Sequence, residues 1–188
     1  PPQLDEERVR QMLAPAKDVD GCTDGSLAGV FTNTENGFCP CTAQAAMEIL
    51  NYYGIDCRGR NAVIIGRSLV VGRPAAMLLL HQHATPTICH TKTERMPEIA
   101  RGADIVIVCA GKMEAIGREY FREGQTVIDV GIGWNEAKGK LCGDVDFDAV
   151  EPLVEAITPV PGGVGAVTTS VLVSHVAEAA ARALRKEN

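Results

Sequence analysis

The segment Asn61-Ala-Val-Ile-Ile-Gly-Arg-Ser-Leu-Val-Val-Gly-Arg-Pro74 limits the folds open to this chain more than any other stretch. An apolar run rich in β-branched residues, Ala62 to Ile65, ends in Gly66, and Pro74 then opens a helical pattern. That order predicts a buried strand, a tight turn and a helix N-terminus, the connection from which parallel α/β sheets are built. A helix start also offers backbone N–H groups and a favourable dipole to a phosphate. The glycines do not fall as G-x-G-x-x-G. They read Gly66-x-Ser68 and Gly72-x-Pro74, a longer turn with serine where the second glycine would stand. On spacing alone, phosphate binding and a purely structural turn are equally open.

The pattern on either side repeats the alternation. Strands are predicted over 62–65, 86–89, 104–109 and 126–130, helices over 74–83 and 96–101, and a helical turn over 117–121. Strands and helices alternating at this pace give a Rossmann-like, doubly wound, mainly parallel α/β sheet with flanking helices. Its ligand crevice lies at the C-terminal ends of the strands. Ahead of it, Asp5 caps a helix reaching about residue 13, which Pro15 closes, and Thr42 caps another over 43–53, which Gly54 stops. The stretch 17–41 between them has little periodicity and reads as a long loop, a length that is usually functional. Residues 138–147 read as an extra strand or hairpin edge. The chain finishes in a long helix, about 167–186, whose Ala, Val and Leu residues cover most of its circumference. Such a helix needs partners on several sides, which implies a second domain or subunit.

Composition excludes several classes. The chain has 188 residues, 46% hydrophobic, with a formal net charge of −6. No basic stripe with interleaved aromatics appears, which argues against nucleic acid. No apolar run reaches the roughly 18 residues a membrane span needs, and no signal-peptide pattern opens the chain. The start, Pro1-Pro2 without Met, suggests a processed or truncated chain as the expectation. Seven cysteines at irregular spacing include one close pair, Cys39-Pro-Cys41. A lone C-x-C is a weak metal signal, so no metal is expected. The cysteines read as reduced, mostly buried thiols, which points to a cytoplasmic setting.

Cations gather around the crevice despite the acidic total: Arg67, Arg73, His90 and Lys92. The second strand ends Ile88-Cys89-His90-Thr91-Lys92, without the acid that binds the ribose 2′-hydroxyl of NAD. A hydroxyl, an ammonium and an imidazole, with Arg67 within reach, suit a 2′-phosphate and therefore NADP. A solvated loop with ordinary cations is the competing reading. Ala110-Gly111 and Gly131-Ile132-Gly133 put small residues at strand ends where backbone can approach a ligand, although each alone reads as a turn. His81 and His83, two apart at a helix end, suit dipole compensation better than metal binding. Asp18 and Asp20 alternate on an extended segment and face opposite ways, which leaves one aspartate for a cleft. Finally, Thr158-Pro-Val-Pro-Gly-Gly-Val-Gly165 sets a rigid, glycine-rich loop before a helix start. It suits a flat heteroaromatic ligand or an anion, with a tight connection as the alternative.

Together these segments resemble the methylenetetrahydrofolate dehydrogenase/cyclohydrolase family of one-carbon metabolism. The matching stretches are Lys17-Asp-Val-Asp-Gly21, Pro40-Cys-Thr42, Gly66-Arg-Ser68 with Val71-Gly-Arg-Pro74, Val127-Ile-Asp-Val-Gly-Ile132, Gly143-Asp-Val-Asp-Phe147 and Ile157-Thr-Pro-Val-Pro-Gly-Gly-Val-Gly165. The resemblance implies a bifunctional enzyme: an NADP-dependent oxidoreductase acting on 5,10-methylenetetrahydrofolate and a hydrolase opening the methenyl product to 10-formyltetrahydrofolate. It implies that Gly66, Arg67, Ser68, Thr91 and Ile132 hold NADP. Asp20 would bond the pterin ring, and Pro161 and Gly162 would line the folate pocket. It also implies a homodimer joined through the cofactor domains; the 138–147 edge is our own candidate for the contact.

The chain departs from the family pattern at Ala43 and at Ala166-Val167, where prolines and a methionine are usual. The resemblance implies a catalytic lysine, one helical turn after a tyrosine, in an amino-terminal domain, and a glutamine just before the residues that align with Pro1, for which Gln3 lies too far along. Nothing here matches them. The expectation is therefore a cofactor-binding part: residues 1–41 as an interdomain helix and loop, 42–165 as the NADP-binding domain, and 166–188 as a helix packing on the absent domain. Such a chain binds NADP and turns over little or nothing by itself. A non-catalytic nucleotide-binding or assembly module is the alternative.

Overall fold

The computed structural model of the chain describes residues 3–186. Five strands, β1 (Asn61–Ile65), β2 (Thr85–Cys89), β3 (Ile105–Val108), β4 (Thr126–Asp129) and β7 (Ala156–Ile157), form one sheet in the order β2-β1-β3-β4-β7. Every pairing in it is parallel. The central strands are buried on both faces, which is why they read as unbroken apolar runs and not as alternating ones. Ala62, Ile64, Ile105, Ile107 and Ile128 point to one side and Val63, Ile65, Val106, Val108 and Val127 to the other. The edge strand β2 instead leaves Thr85 and Thr87 exposed.

Helices cover both faces. α3 (Cys41–Tyr52), α4 (Gly72–His81) and α7 (Val164–Lys186) pack on the first through Ala43, Ala46, Leu50, Ala75, Leu79 and Val171. α5 (Met96–Arg101) and α6 (Phe147–Val150) close the second with Ala100, Phe121 and Val150. Buried Gln125 ties the layers: its amide donates to the carbonyls of Ala100 (2.8 Å) and Ala103 (2.9 Å), and its Oε1 accepts from the Arg122 N–H. A two-stranded antiparallel ribbon, β5 (Gly133–Asn135) with β6 (Lys140–Cys142), stands apart from the sheet; only β6 falls within the edge expected at 138–147.

Local signals mark some boundaries well. Asp5 caps α1 (Glu6–Met12) by accepting from the Arg8 N–H at 3.0 Å. Three expectations are corrected. The stretch 17–41 is not a plain loop, because it holds α2 (Asp24–Thr32), capped by Thr23. Gly25 and Gly29 hid it: both weaken helix propensity, yet they let the helix approach Pro15 and the Asn36 backbone closely. The N-cap of α3 is Pro40, so Thr42 already lies inside the helix. α4 starts at Gly72, two residues before Pro74.

α7 lies along α3, and its exposed side carries Val173, Val176 and Leu184. By length and mean hydropathy (1.3) Val164–Arg185 could cross a membrane, although no uninterrupted apolar run occurs. Thr168, Thr169, Ser170, Ser174 and His175 break the run without lowering the average enough. The segment before α3 packs onto this helix. His175 Nδ1 lies 2.8 Å from the Val19 carbonyl, and Arg182 donates to the Gly37 carbonyl while stacking over Phe38. Residues 1–2 and 187–188, which open and close the expected segments, lie outside the described residues.

Candidate functional site

β1 sits between β2 and β3, so the chain leaves it on one side and returns on the other. At such a switch point the loops following the two strands part and leave a crevice at their C-terminal ends. Register places the expected cofactor residues along that rim. Ile65 pairs with both Cys89 and Val108, and Val108 pairs with Asp129. Arg67 and Thr91 therefore stand two residues past paired positions on neighbouring strands, and Ile132 stands three past Asp129. Arg67, Ser68, Thr91 and Ile132 are exposed, and so are Arg73 and Lys92.

Gly66 carries the turn. Its φ is +137°, a conformation open to glycine, and a Cβ there would collide with the carbonyl of Cys109 at the end of β3. Its N–H donates to the Cys89 carbonyl at 2.9 Å, so three strand ends meet at one backbone unit. Ser68, expected among the cofactor contacts, has a structural part in the turn. Its Oγ accepts from the N–H groups of Val71 (3.1 Å) and Gly72 (3.5 Å), closing the turn onto the start of α4. Arg73 Nε donates to the Arg67 carbonyl and braces the same turn.

A buried carboxylate pair, absent from the sequence reading, holds the other side of the rim. Asp129, at the end of β4, accepts from the N–H groups of Gly131 (3.0 Å), Asp144 (3.1 Å) and Val145 (2.9 Å). Asp144 accepts from the Gly111 N–H at 2.7 Å. Burial pushes Asp129 up to about 6 even against those hydrogen bonds. The sequence signal for the pair was two glycines close to two aspartates, Asp129-x-Gly131 and Gly143-Asp144.

The two aspartates of 17–21 take separate roles. Asp18 is buried and accepts from the Cys22 and Thr23 N–H groups and from Ser26 Oγ (2.6 Å). Burial alone would raise its pKa, but those bonds together hold it at about 2. It organises the start of α2. Asp20 is exposed and stands beside the Cys41 thiol, which burial first and Asp20 next push up to about 12. Pro161 and Gly162 lie just before α7. Gly162 lines a groove of about 870 Å³ with Thr158, Pro159, Gly163 and Val167 that reaches Tyr52 and Tyr53. Asp20 thus sits at the start of α3 and Gly162 towards its end, and no hydrogen bond among the described residues joins them. His81 bonds the Val30 carbonyl at 2.8 Å, a packing role between α4 and α2. All seven cysteines are free, and no cluster of three or more metal-ligating side chains occurs among the described residues.

Residues 40–184 match the family model described as tetrahydrofolate dehydrogenase/cyclohydrolase, NAD(P)-binding domain. The bifunctional protein FolD of Carboxydothermus hydrogenoformans is 51% identical over 180 residues, covering 95% of this chain and 63% of the relative. A Clostridium botulinum FolD is 50% identical over 182 residues, covering 97% and 64%. The crystal structure of the Campylobacter jejuni FolD superposes with a TM-score of 0.92 at 40% identity, covering 97% and 64%. The Trypanosoma brucei dehydrogenase-cyclohydrolase, solved with NADP cofactor and inhibitor, gives 0.90 at 34%, covering 98% and 65%. The chain therefore spans about 63% of the length of the curated relatives it matches.

Proposed function

The chain belongs to the tetrahydrofolate dehydrogenase/cyclohydrolase family, and from this we propose that it is the NADP-holding part of a bifunctional folate enzyme. That enzyme oxidises 5,10-methylenetetrahydrofolate to the methenyl form and hydrolyses the product to 10-formyltetrahydrofolate. The observation that carries the reading is the switch-point crevice, whose rim bears Arg67, Thr91 and Lys92 and no carboxylate at the end of β2. This donor set fits a 2′-phosphorylated dinucleotide, since a guanidinium, a hydroxyl and an ammonium all favour a phosphate over a bare ribose hydroxyl.

Gly66 and Ser68 would shape the turn that meets the phosphates, Ser68 by holding the backbone closed. Arg67 and Thr91 would take the 2′-phosphate, and exposed Ile132 would offer an apolar surface at the far end of the rim. When bound, NADP+ supplies the hydride acceptor. Asp20, Pro161 and Gly162 would hold the folate from the α3–α7 side, and the chain's contribution is to fix one reactant against the other. Residues 42–165 would form the cofactor domain, with 1–41 and 166–188 joining it to the domain that supplies acid/base chemistry. The exposed Val173, Val176 and Leu184 on α7 support a covered face there. The same reading makes the enzyme a cytoplasmic homodimer, the free thiols supporting the compartment.

The Tyr-x-x-x-Lys pair implied by the family resemblance has no counterpart among these 188 residues. The purified chain is therefore expected to bind NADP and to hydrolyse the methenyl substrate no faster than buffer. A spectrophotometric assay of methenyl loss checks this, and substantial cyclohydrolase turnover by this chain would refute the assignment of roles.

A further inference from the structure

We propose that Asp144 is a positioning residue for the bound dinucleotide, holding the Gly111–Lys112 loop at the crevice while Asp129 holds Asp144 in turn. The proposal rests on reading the crevice as the NADP site. The Asp144 side chain is buried, with the residue only 2% exposed, and its Oδ2 accepts the Gly111 N–H at 2.7 Å. Gly111 itself is exposed and directly follows Cys109 and Ala110, the loop against which the Gly66 turn packs. A single buried carboxylate thus sets the peptide plane of an exposed rim loop opposite the phosphate-facing turn. Lys112, the next residue, is exposed and makes no ion pair among the described residues.

The backbone is shaped to admit this pair. A Cβ on Gly143 would overlap the Asp129 carboxylate, and one on Gly131 would overlap the Asp144 carboxylate. Asp129 gathers the N–H groups of Gly131, Asp144 and Val145, so the loops after β3, β4 and β6 converge on two adjacent acids. The Asp129 N–H donates to Thr158 Oγ1 at 2.8 Å, which brings the start of the Pro-Gly loop into the same assembly. Burying two carboxylates side by side disfavours the folded state, and neutral or apolar packing would hold loops together at lower cost. The arrangement is accounted for if it fixes rim loops on both the cofactor and the folate side.

The test uses the purified chain, with NADP titrated calorimetrically into the wild type, Asp144→Ala and Asp144→Asn, and thermal midpoints measured without cofactor. Asn keeps an acceptor for the Gly111 N–H, whereas Ala does not. The expected result is about tenfold or more weaker NADP binding in Asp144→Ala, with most of the affinity restored in Asp144→Asn. Unchanged affinity in Asp144→Ala overturns the proposal, as does an equal loss in both variants. Amide exchange of the wild type supplies a check that needs no variant to fold. The Gly111 amide is expected to exchange about a hundredfold or more slower than a free amide despite its exposed position, and unprotected exchange overturns the clasp. Failure of the wild type to bind NADP would sink the cofactor reading and this proposal together. Binding by the wild type with unaltered affinity in Asp144→Ala would sink the proposal alone.

Discussion

Gly66→Ala is expected to destabilise the chain by about 3 kcal/mol or more and to abolish cofactor binding. Two costs add at this position. The backbone sits at φ +137°, a region nearly closed to L side chains, at about 1–3 kcal/mol. The new methyl group would also meet Sγ of Cys109 and, more severely, its carbonyl, which is backbone just past the buried strand β3 and cannot turn aside. Relief requires β1 and β3 to move apart at the switch point, which opens the crevice proposed to hold the cofactor. Gly54→Ala is the internal control. Gly54 also has a positive φ, +66°, but a Cβ there meets nothing within 4 Å, so only the conformational cost of about 1 kcal/mol applies. Urea unfolding of both variants checks the contrast, and equal losses would contradict the steric account.

Asp18→Ala is expected to cost about 3 kcal/mol at neutral pH, because two backbone N–H groups and the Ser26 hydroxyl lose a buried, charged acceptor together. The pH dependence has a defined sign. Asp18 titrates at about 2 in the folded chain against 3.8 unfolded, so between those values the unfolded state binds the extra proton. The stabilisation is complete above 3.8, amounts to about 2 kcal/mol, and disappears as pH falls through about 2. Asp129 works in the opposite sense, since its folded value of about 6 makes its contribution fall as pH rises from 3.8 to 6. The clean measurement is therefore the stability difference between wild type and Asp18→Asn. It should be constant from pH 5 to 7 and shrink between 4 and 2, whereas a difference that persists unchanged at pH 2 would remove the carboxylate's charge from the explanation.

These two residues also show what could be read from the chain and what could not. Gly66 was legible because a β-branched run, a glycine and a helix start are local signals. The same holds for α5 at 96–101 and for the sheet strands, apart from the two-residue β7. Asp18 was visible only as one of two alternating acids. Its role depends on Ser26, which is brought near by α2, the helix its glycines concealed. Asp129 and Asp144 are 15 residues apart, so their adjacency follows from sheet register and from the β5–β6 ribbon between them. No periodicity reports such a contact. Ser68 shows a further limit: its part in closing the turn, through the Val71 and Gly72 N–H groups, follows only from the folded backbone.

The central claim is that the crevice between β1 and β3 holds NADP by its 2′-phosphate. Calorimetric titration of the purified chain with NADP+ and with NAD+ tests it most directly. The account predicts saturable NADP+ binding at one site per chain, about tenfold or more tighter than NAD+, the worth of one charge-assisted contact to the extra phosphate. Equal affinities, or tighter binding of NAD+, would contradict it.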